Sequence, residues 1–406
     1  MLERYRMLDL ARMLPGPFTS HILADLGMDV VKVEEPNPRA GMGRDIFTPA
    51  VPSPADEVRA SAHNAVARNK RSLALNLFDP ALRADAQQVF YRLVETADVV
   101  LDGYRPGTTA WLGVDYETVS KINPRIVYCA ISSYGQDGPY AQRAGHGGQF
   151  FAASGLMADM GRGGDVPEGP AIAIGDLAAG FYAANCIQAA LIERETSGLG
   201  QFIDVSLTGS AMTLSAARPQ GAGIAAARGA HGVNRRRPGP GLGALECRDG
   251  LWLSTGNAES TFWERFCRVI GHEEFIPVRN TDDNRAYLEM VDTVRKLFLT
   301  KDRDEWIDIL VAADTVVAPI HMTLDEAYED PQMQHIGMNW DLPHPTEGTV
   351  RQLGFPVRFS RTPVEFQQFA PLLGEHTSEV LAEAGYDDAA IAALEAKGVV
   401  GRWIGD

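Results

Sequence analysis

Short runs rich in β-branched residues alternate with helical patterns through the first half of the chain, and no other property limits the fold so tightly. Candidate strands are Tyr5 to Leu10, Asp29 to Val33, Asp98 to Leu101, Arg125 to Ile131 and Phe202 to Leu207. Strands that recur with helices between them predict βαβ units and a mainly parallel sheet, an α/β fold. Between the first two lies Pro15 to Gly27, where Pro17 suits the first turn of a helix and Gly27 its stop. A helical stretch and the turn-rich segment Arg105 to Gly113 separate the third strand from the fourth.

The second half reads differently. From Gly221 to Gly243 the sequence turns to Gly, Ala, Arg and Pro without periodicity, as expected of a mobile loop or inter-domain connection. A smaller unit follows, with a strand at Leu251 to Thr255, a helix from Thr261 to Ile270, and helices around Asn284 to Leu299 and Asp304 to Ala312. Extended, Pro-rich sequence then runs from Asp341 to Pro371, and a helical section from Glu375 to Lys397 ends the pattern.

With 406 residues, 45% of them hydrophobic, the chain can bury a substantial core and divide into two domains or more. Its formal charge of −16 argues against a nucleic-acid partner, which needs a clustered positive surface. Local basic clusters remain at Arg68 to Arg71 and at Arg235 to Arg237; each suits either a phosphorylated small molecule or plain solvent. Cys129, Cys186, Cys247 and Cys267 are too scattered for a disulfide framework or a zinc site. No secretory pattern marks the first residues, and the longest apolar run, Ala178 to Ile192, is too short to span a bilayer. The expectation is a cytoplasmic, metal-free protein with no membrane partner.

Asp176 is the candidate that stands out chemically, because it lies at the mouth of a long apolar helix in which Phe181, Ala184, Ile187, Leu191 and Ile192 recur at helical spacing. Unpaired amides and the macrodipole at such a place favour the ionised carboxylate and lower its pKa. An oriented carboxylate can attack a thioester or move a proton beside one. An ordinary N-cap satisfies the same pattern.

A series of phrases resembles the class III CoA-transferase family, the formyl-CoA and carnitine CoA-transferase group that also holds α-methylacyl-CoA racemase. They are PGPFTSHILADLGMDVVKVEEP (Pro15 to Pro36), NKRSLALNL (Asn69 to Leu77), ADVVLDGYRPG (Ala97 to Gly107), LGVDYETVSKINPRIVYCAISSYGQDGP (Leu112 to Pro139), GDLAAG (Gly175 to Gly180), SGLGQFIDVSL (Ser197 to Leu207) and GEHTSEVL (Gly374 to Leu381). The resemblance implies an open Rossmann-like large α/β domain over residues 1–210, completed by the C-terminal segment. It also implies a Gly-rich linker over 211–243, a smaller α/β domain over 244–330, and an extended linker over 331–406 that returns to the large domain. Two subunits would interlock as a homodimer.

In the transferases of this family, the Asp matching Asp176 attacks the acyl-CoA carbonyl and gives a mixed anhydride with free CoA thiolate. A small carboxylic acid then accepts the acyl group and the thiolate returns; acyl-CoA is a substrate, and no tightly bound cofactor is implied. Such an anhydride must be shielded from water, and Pro238 to Gly243 is the candidate cover. The racemase branch pairs the Asp with a His, here His146, oriented by a Glu, here Glu259. Gly147 stands where racemases carry Asp, and Ala171 to Ile174 lacks their Asn-containing phrase, so transfer is the first reading and 2-methylacyl-CoA racemisation the second. A silent subunit of a heteromer is the third. For the nucleotide end of CoA the resemblance points to Arg39, Lys70, Arg71, Tyr104, Arg105 and Arg143, as cations or stacking surfaces. The turn from Met13 to Pro17 would line the pantetheine channel.

Overall fold

Along β1 (Arg6–Asp9) successive side chains turn to opposite faces, Met7 into one apolar cluster and Leu8 into another. The same division holds for Val30 and Val31 on β2 (Asp29–Glu34) and for Val99 and Val100 on β4 (Val99–Asp102). A sheet apolar on both faces needs a layer on each side. Phe90 and Leu93 of the Arg83–Val94 helix join Val380 and Leu381 on one face; Leu23 of the Pro15–Asp25 helix joins Ala183, Ile187 and Leu191 of the Ile174–Ser197 helix on the other. This computed structural model describes residues 1–36, 53–157, 172–216, 242–279, 281 and 283–401.

The remaining strands of the large sheet are β3 (Lys70–Leu75), β5 (Val127–Ser132) and β6 (Phe202–Ser206), with Val400–Gly401 antiparallel to β3 at one edge. Their spatial order is Val400–Gly401, β3, β2, β1, β4, β5, β6, and every other pairing is parallel. The chain steps outward from β1 to β3 and then crosses back to lay β4 on the other side of β1. Such a reversal opens a crevice between the C-terminal ends of β1 and β4, where α/β sheets bind their ligands.

All five strands expected in the first half of the sequence are present in this sheet, whereas β3 was not foreseen. The basic cluster at its start read as a phosphate ligand or as solvated surface, but Arg68 is 1% and Lys70 0% exposed. Buried cations need partners, and both have them. Arg68 donates to both carboxylate oxygens of Asp25, at 3.1 and 2.6 Å, while the Lys70 ammonium donates to the Pro17 and Val66 carbonyls and lies 3.8 Å from Asp9.

The described residues form two compact units, one containing residues 1–36, 53–157, 172–216 and 337–401, the other 242–279, 281 and 283–336. The first also holds a hairpin of β10 (Asn339–His344) and β11 (Gly348–Leu353), within sequence expected to be merely extended. The second carries an antiparallel sheet of β7 (Leu242–Glu246), β8 (Trp252–Gly256) and β9 (Val317–Ile320). Helices Ser260–Val269, Asn284–Phe298 and Arg303–Ala312 cover it, and Phe298 stacks on Trp306 with centroids 4.5 Å apart. Among the described residues no helix is long and apolar enough to cross a membrane. Residues 221–241, the Arg235 to Arg237 cluster and Arg39 lie outside the described residues, as does the expected cover at 238–241.

Candidate active site

Three turns leave the C-terminal ends of β1, β4 and β5 and converge. Arg12, Met13 and Pro15 follow β1; Gly103, Tyr104, Arg105 and Pro106 follow β4; Ser132 and Ser133 close β5. With Arg143 to Gly147, Phe150, Asp176 and Leu207 they line a cavity of about 250 Å³. It lies at the crevice that the strand order opens.

Asp176 enters this cavity from the first turn of the 24-residue Ile174–Ser197 helix. It is not the cap: Ala173 precedes the helix, and Asp176 is the third helical residue. The expected fall in its pKa is also overturned. Burial raises the carboxyl from 3.8 to about 6, outweighing its own backbone amide and the nearby His146, which both act to lower it. A helix terminus stabilises charge by about 1 kcal/mol or less at an accessible site, and removal from water costs more. The outcome is a carboxylate ionised at neutral pH yet poorly solvated, a state that favours nucleophilic attack.

Close packing fixes this group. A Cβ on Gly175 would stand 2.9 Å from the Phe150 ring, so glycine lets the aromatic press against the first helical turn. A Cβ on Gly147 would stand 3.5 Å from Asp176 Oδ2, which puts the backbone beside His146 against the carboxylate. His146 caps the Gly147–Ala153 helix, and its backbone N–H donates to Gln149 Oε1 at 3.1 Å.

Met13, Tyr104, Arg105, Arg143, His146 and Asp176 thus share one cavity. Arg143 places its guanidinium 3.5 Å from the Tyr140 ring centroid, leaving its edge for an anion. Pro17 is buried in its helix behind the wall and gives its carbonyl to Lys70. Lys70 and Arg71 do not line the cavity: the first points into the interior, where burial pushes its ammonium down to about 8, and the second is bound by Asp29, Glu379 and Glu383. Both expected nucleotide ligands thus stand outside this cavity, since strand alternation sends one inward and gives the other three carboxylates. Glu259 belongs to the smaller unit, at the N-cap of its Ser260–Val269 helix. Arg12 was missed, although its place just past β1 in a βαβ unit was the available signal.

Residues 2–377 match the family described as CoA-transferase family III. Human succinyl-CoA:glutarate CoA-transferase is 32% identical over 98% of this chain and 90% of its own length. Formyl-CoA:oxalate CoA-transferase of Escherichia coli is 28% identical over 97% of this chain and 98% of its own length. Among solved structures, a CAIB/BAIF family protein from Brucella suis superposes with a TM-score of 0.77 at 28% identity, covering 94% of this chain and 99% of that one.

Proposed function

The chain belongs to CoA-transferase family III and is an enzyme of that class, and from that premise we propose that Asp176 carries the acyl group between CoA thioester and acid. Its carboxylate oxygen attacks the thioester carbonyl, a C–O bond forms, the C–S bond breaks, and CoA leaves as thiolate. The product is a mixed anhydride on Asp176. The acceptor carboxylate then attacks the donor acyl carbonyl, forming a C–O bond as the bond to Asp176 breaks and frees its carboxylate; the thiolate attacks the acceptor's carbonyl in the resulting anhydride, forming the C–S bond of the new thioester as the donor acid leaves. The observation that carries this reading is the raised, half-buried carboxyl of Asp176 in one cavity with Arg105 and Arg143.

Each part of the wall has a task. Arg105 and Arg143 hold the anionic groups of CoA, Tyr104 offers a stacking face, and the Met13 turn borders the pantetheine arm. Dicarboxylic acids such as those in the relatives' names are the first donors and acceptors to try. Two interlocked copies form the working unit in the cytoplasm; the exposed Phe181, Tyr182 and Ile192 on the Asp176 helix support a partner there. No tightly bound cofactor is required for the exchange.

The test is direct. Succinyl-CoA and glutarate, mixed with enzyme, are followed by mass spectrometry for glutaryl-CoA, alongside a panel of other acids. Transfer that vanishes in Asp176→Ala supports the reading; transfer that persists in that variant refutes it.

His146 on the same cavity favours a second reading, in which it and Asp176 exchange the α-proton of a 2-methylacyl-CoA. Deuterium entering the α-carbon in heavy water without any acceptor acid would select it. Silence of the chain in both assays would point to a subunit that needs a catalytic partner.

A further inference from the structure

Two carboxylates that touch no part of the cavity end the strands from which its wall springs. β1 finishes in Asp9 and the adjacent parallel β4 in Asp102, 0% and 3% exposed. Asp9 Oδ1 accepts the backbone N–H of Ala11 at 2.9 Å, and Asp102 Oδ1 accepts that of Tyr104 at 2.8 Å. The same local device therefore occurs twice: a side chain holding the amide two residues on bends the chain out of the strand.

The second oxygen of each ties the turn to the helix beyond it. Asp9 Oδ2 accepts the hydroxyl of Ser20 in the Pro15–Asp25 helix; Asp102 Oδ2 accepts those of Thr109, at 3.1 Å in the Thr108–Leu112 helix, and of Tyr128, at 3.3 Å on β5. The two turns also meet, because a Cβ on Gly103 would come within 3.0 Å of the Ala11 side chain. Met13 holds a φ of +68° in the first turn, a conformation that a side chain resists unless its surroundings impose it.

We propose that Asp9 and Asp102 are positioning residues, twin latches that preform the Arg12–Met13 and Gly103–Pro106 turns as one wall for acyl-CoA. This inference rests on the reading of the cavity as the acyl-CoA site. Neither carboxylate lines the cavity, so neither touches substrate. A wall already in place spares the substrate the ordering cost of two turns, and that saving appears in affinity rather than in the chemistry at Asp176.

Asp102 is the better one to test, since its partners are a backbone amide and two hydroxyls, whereas Asp9 also faces the Lys70 ammonium. Asp102→Asn keeps an oxygen for Tyr104 N–H and offers its amide to hydroxyls that can rotate to accept. Asp102→Ala leaves the amide without its bond. The expected result is a KM for acyl-CoA raised about tenfold in Asp102→Ala, with kcat per trapped Asp176 within about twofold, and recovery of most of the KM in Asp102→Asn. A purely structural residue would instead lower the active fraction and leave KM unmoved.

Thr109→Val loosens only the outer anchor and covers the case in which Asp102→Ala fails to fold; its expected KM rises about threefold. Arg105→Ala separates the two layers of the argument. If that variant leaves KM unchanged, the assignment of the cavity fails. If it raises KM while Asp102→Ala, or Thr109→Val in its place, does not, the cavity assignment stands and the latch is overturned.

Discussion

Replacing Asp176 by Asn should make the protein more stable near neutral pH, although it removes the proposed nucleophile. The carboxyl rises from 3.8 to about 6 in the folded chain because burial penalises its charge. A folded-state pKa above the unfolded value means that folding disfavours the ion, so the penalty is absent below pH about 4, where both states are protonated, and complete above pH about 6. The full difference corresponds to about 3 kcal/mol. Because the group opens on a solvent-accessible cavity, screening reduces this to about 1 kcal/mol. Asn has the same shape without the charge. Its advantage over wild type should therefore grow from nothing near pH 4 to a plateau above pH 6, reaching about 2 °C in the melting temperature. Paired melting curves at closely spaced pH values provide the measurement. An advantage independent of pH, or a wild type more stable at pH 7.5, would refute the claim that Asp176 is held at a cost.

Two other consequences concern the same chain. The rate constant kcat/KM should rise with pH through about 6, since the attacking form is ionised and burial sets its pKa; an acid limb near 4 in the pH profile would mean a fully solvated carboxylate. Arg68→Ala should destabilise the protein by about 3 kcal/mol in urea unfolding, because it takes the buried Asp25's cation, leaving it the Asn69 amide at 2.9 Å, and removes a cation 4.4 Å from the Trp340 ring centroid; a loss below about 1 kcal/mol would contradict that pairing.

The sheet was legible because its strands are buried on both faces and flanked by turn residues, a pattern that one period can reveal. β3 escaped for an electrostatic reason: Lys70 and Arg71 read as phosphate ligands or solvated cations until Asp9, Asp29 and Glu383 are brought beside them from distant parts of the chain. The hairpin β10–β11 was obscured by Pro343 within its first strand. At the site, family phrases drew attention to Tyr104, Arg105, Arg143, His146 and Asp176, and the strand reversal at β1 and β4 explains why such separated residues meet. The direction of the Asp176 pKa was not readable from its helix alone. A terminus acts locally, but burial depends on Phe150, Leu207 and the other walls that only the tertiary fold supplies. Asp9 and Asp102 carry no signal of their own in the sequence, and their shared task shows only once both turns are seen to border one cavity.

Chemical trapping bears on Asp176 more directly than any rate. Enzyme mixed with an acyl-CoA and no acceptor, then treated with hydroxylamine and digested, should yield the peptide spanning Asp176 with that residue converted to its hydroxamate. Rapid CoA transfer by a preparation in which Asp176 stays unmodified, at any time and with any acyl-CoA turned over, would contradict the account.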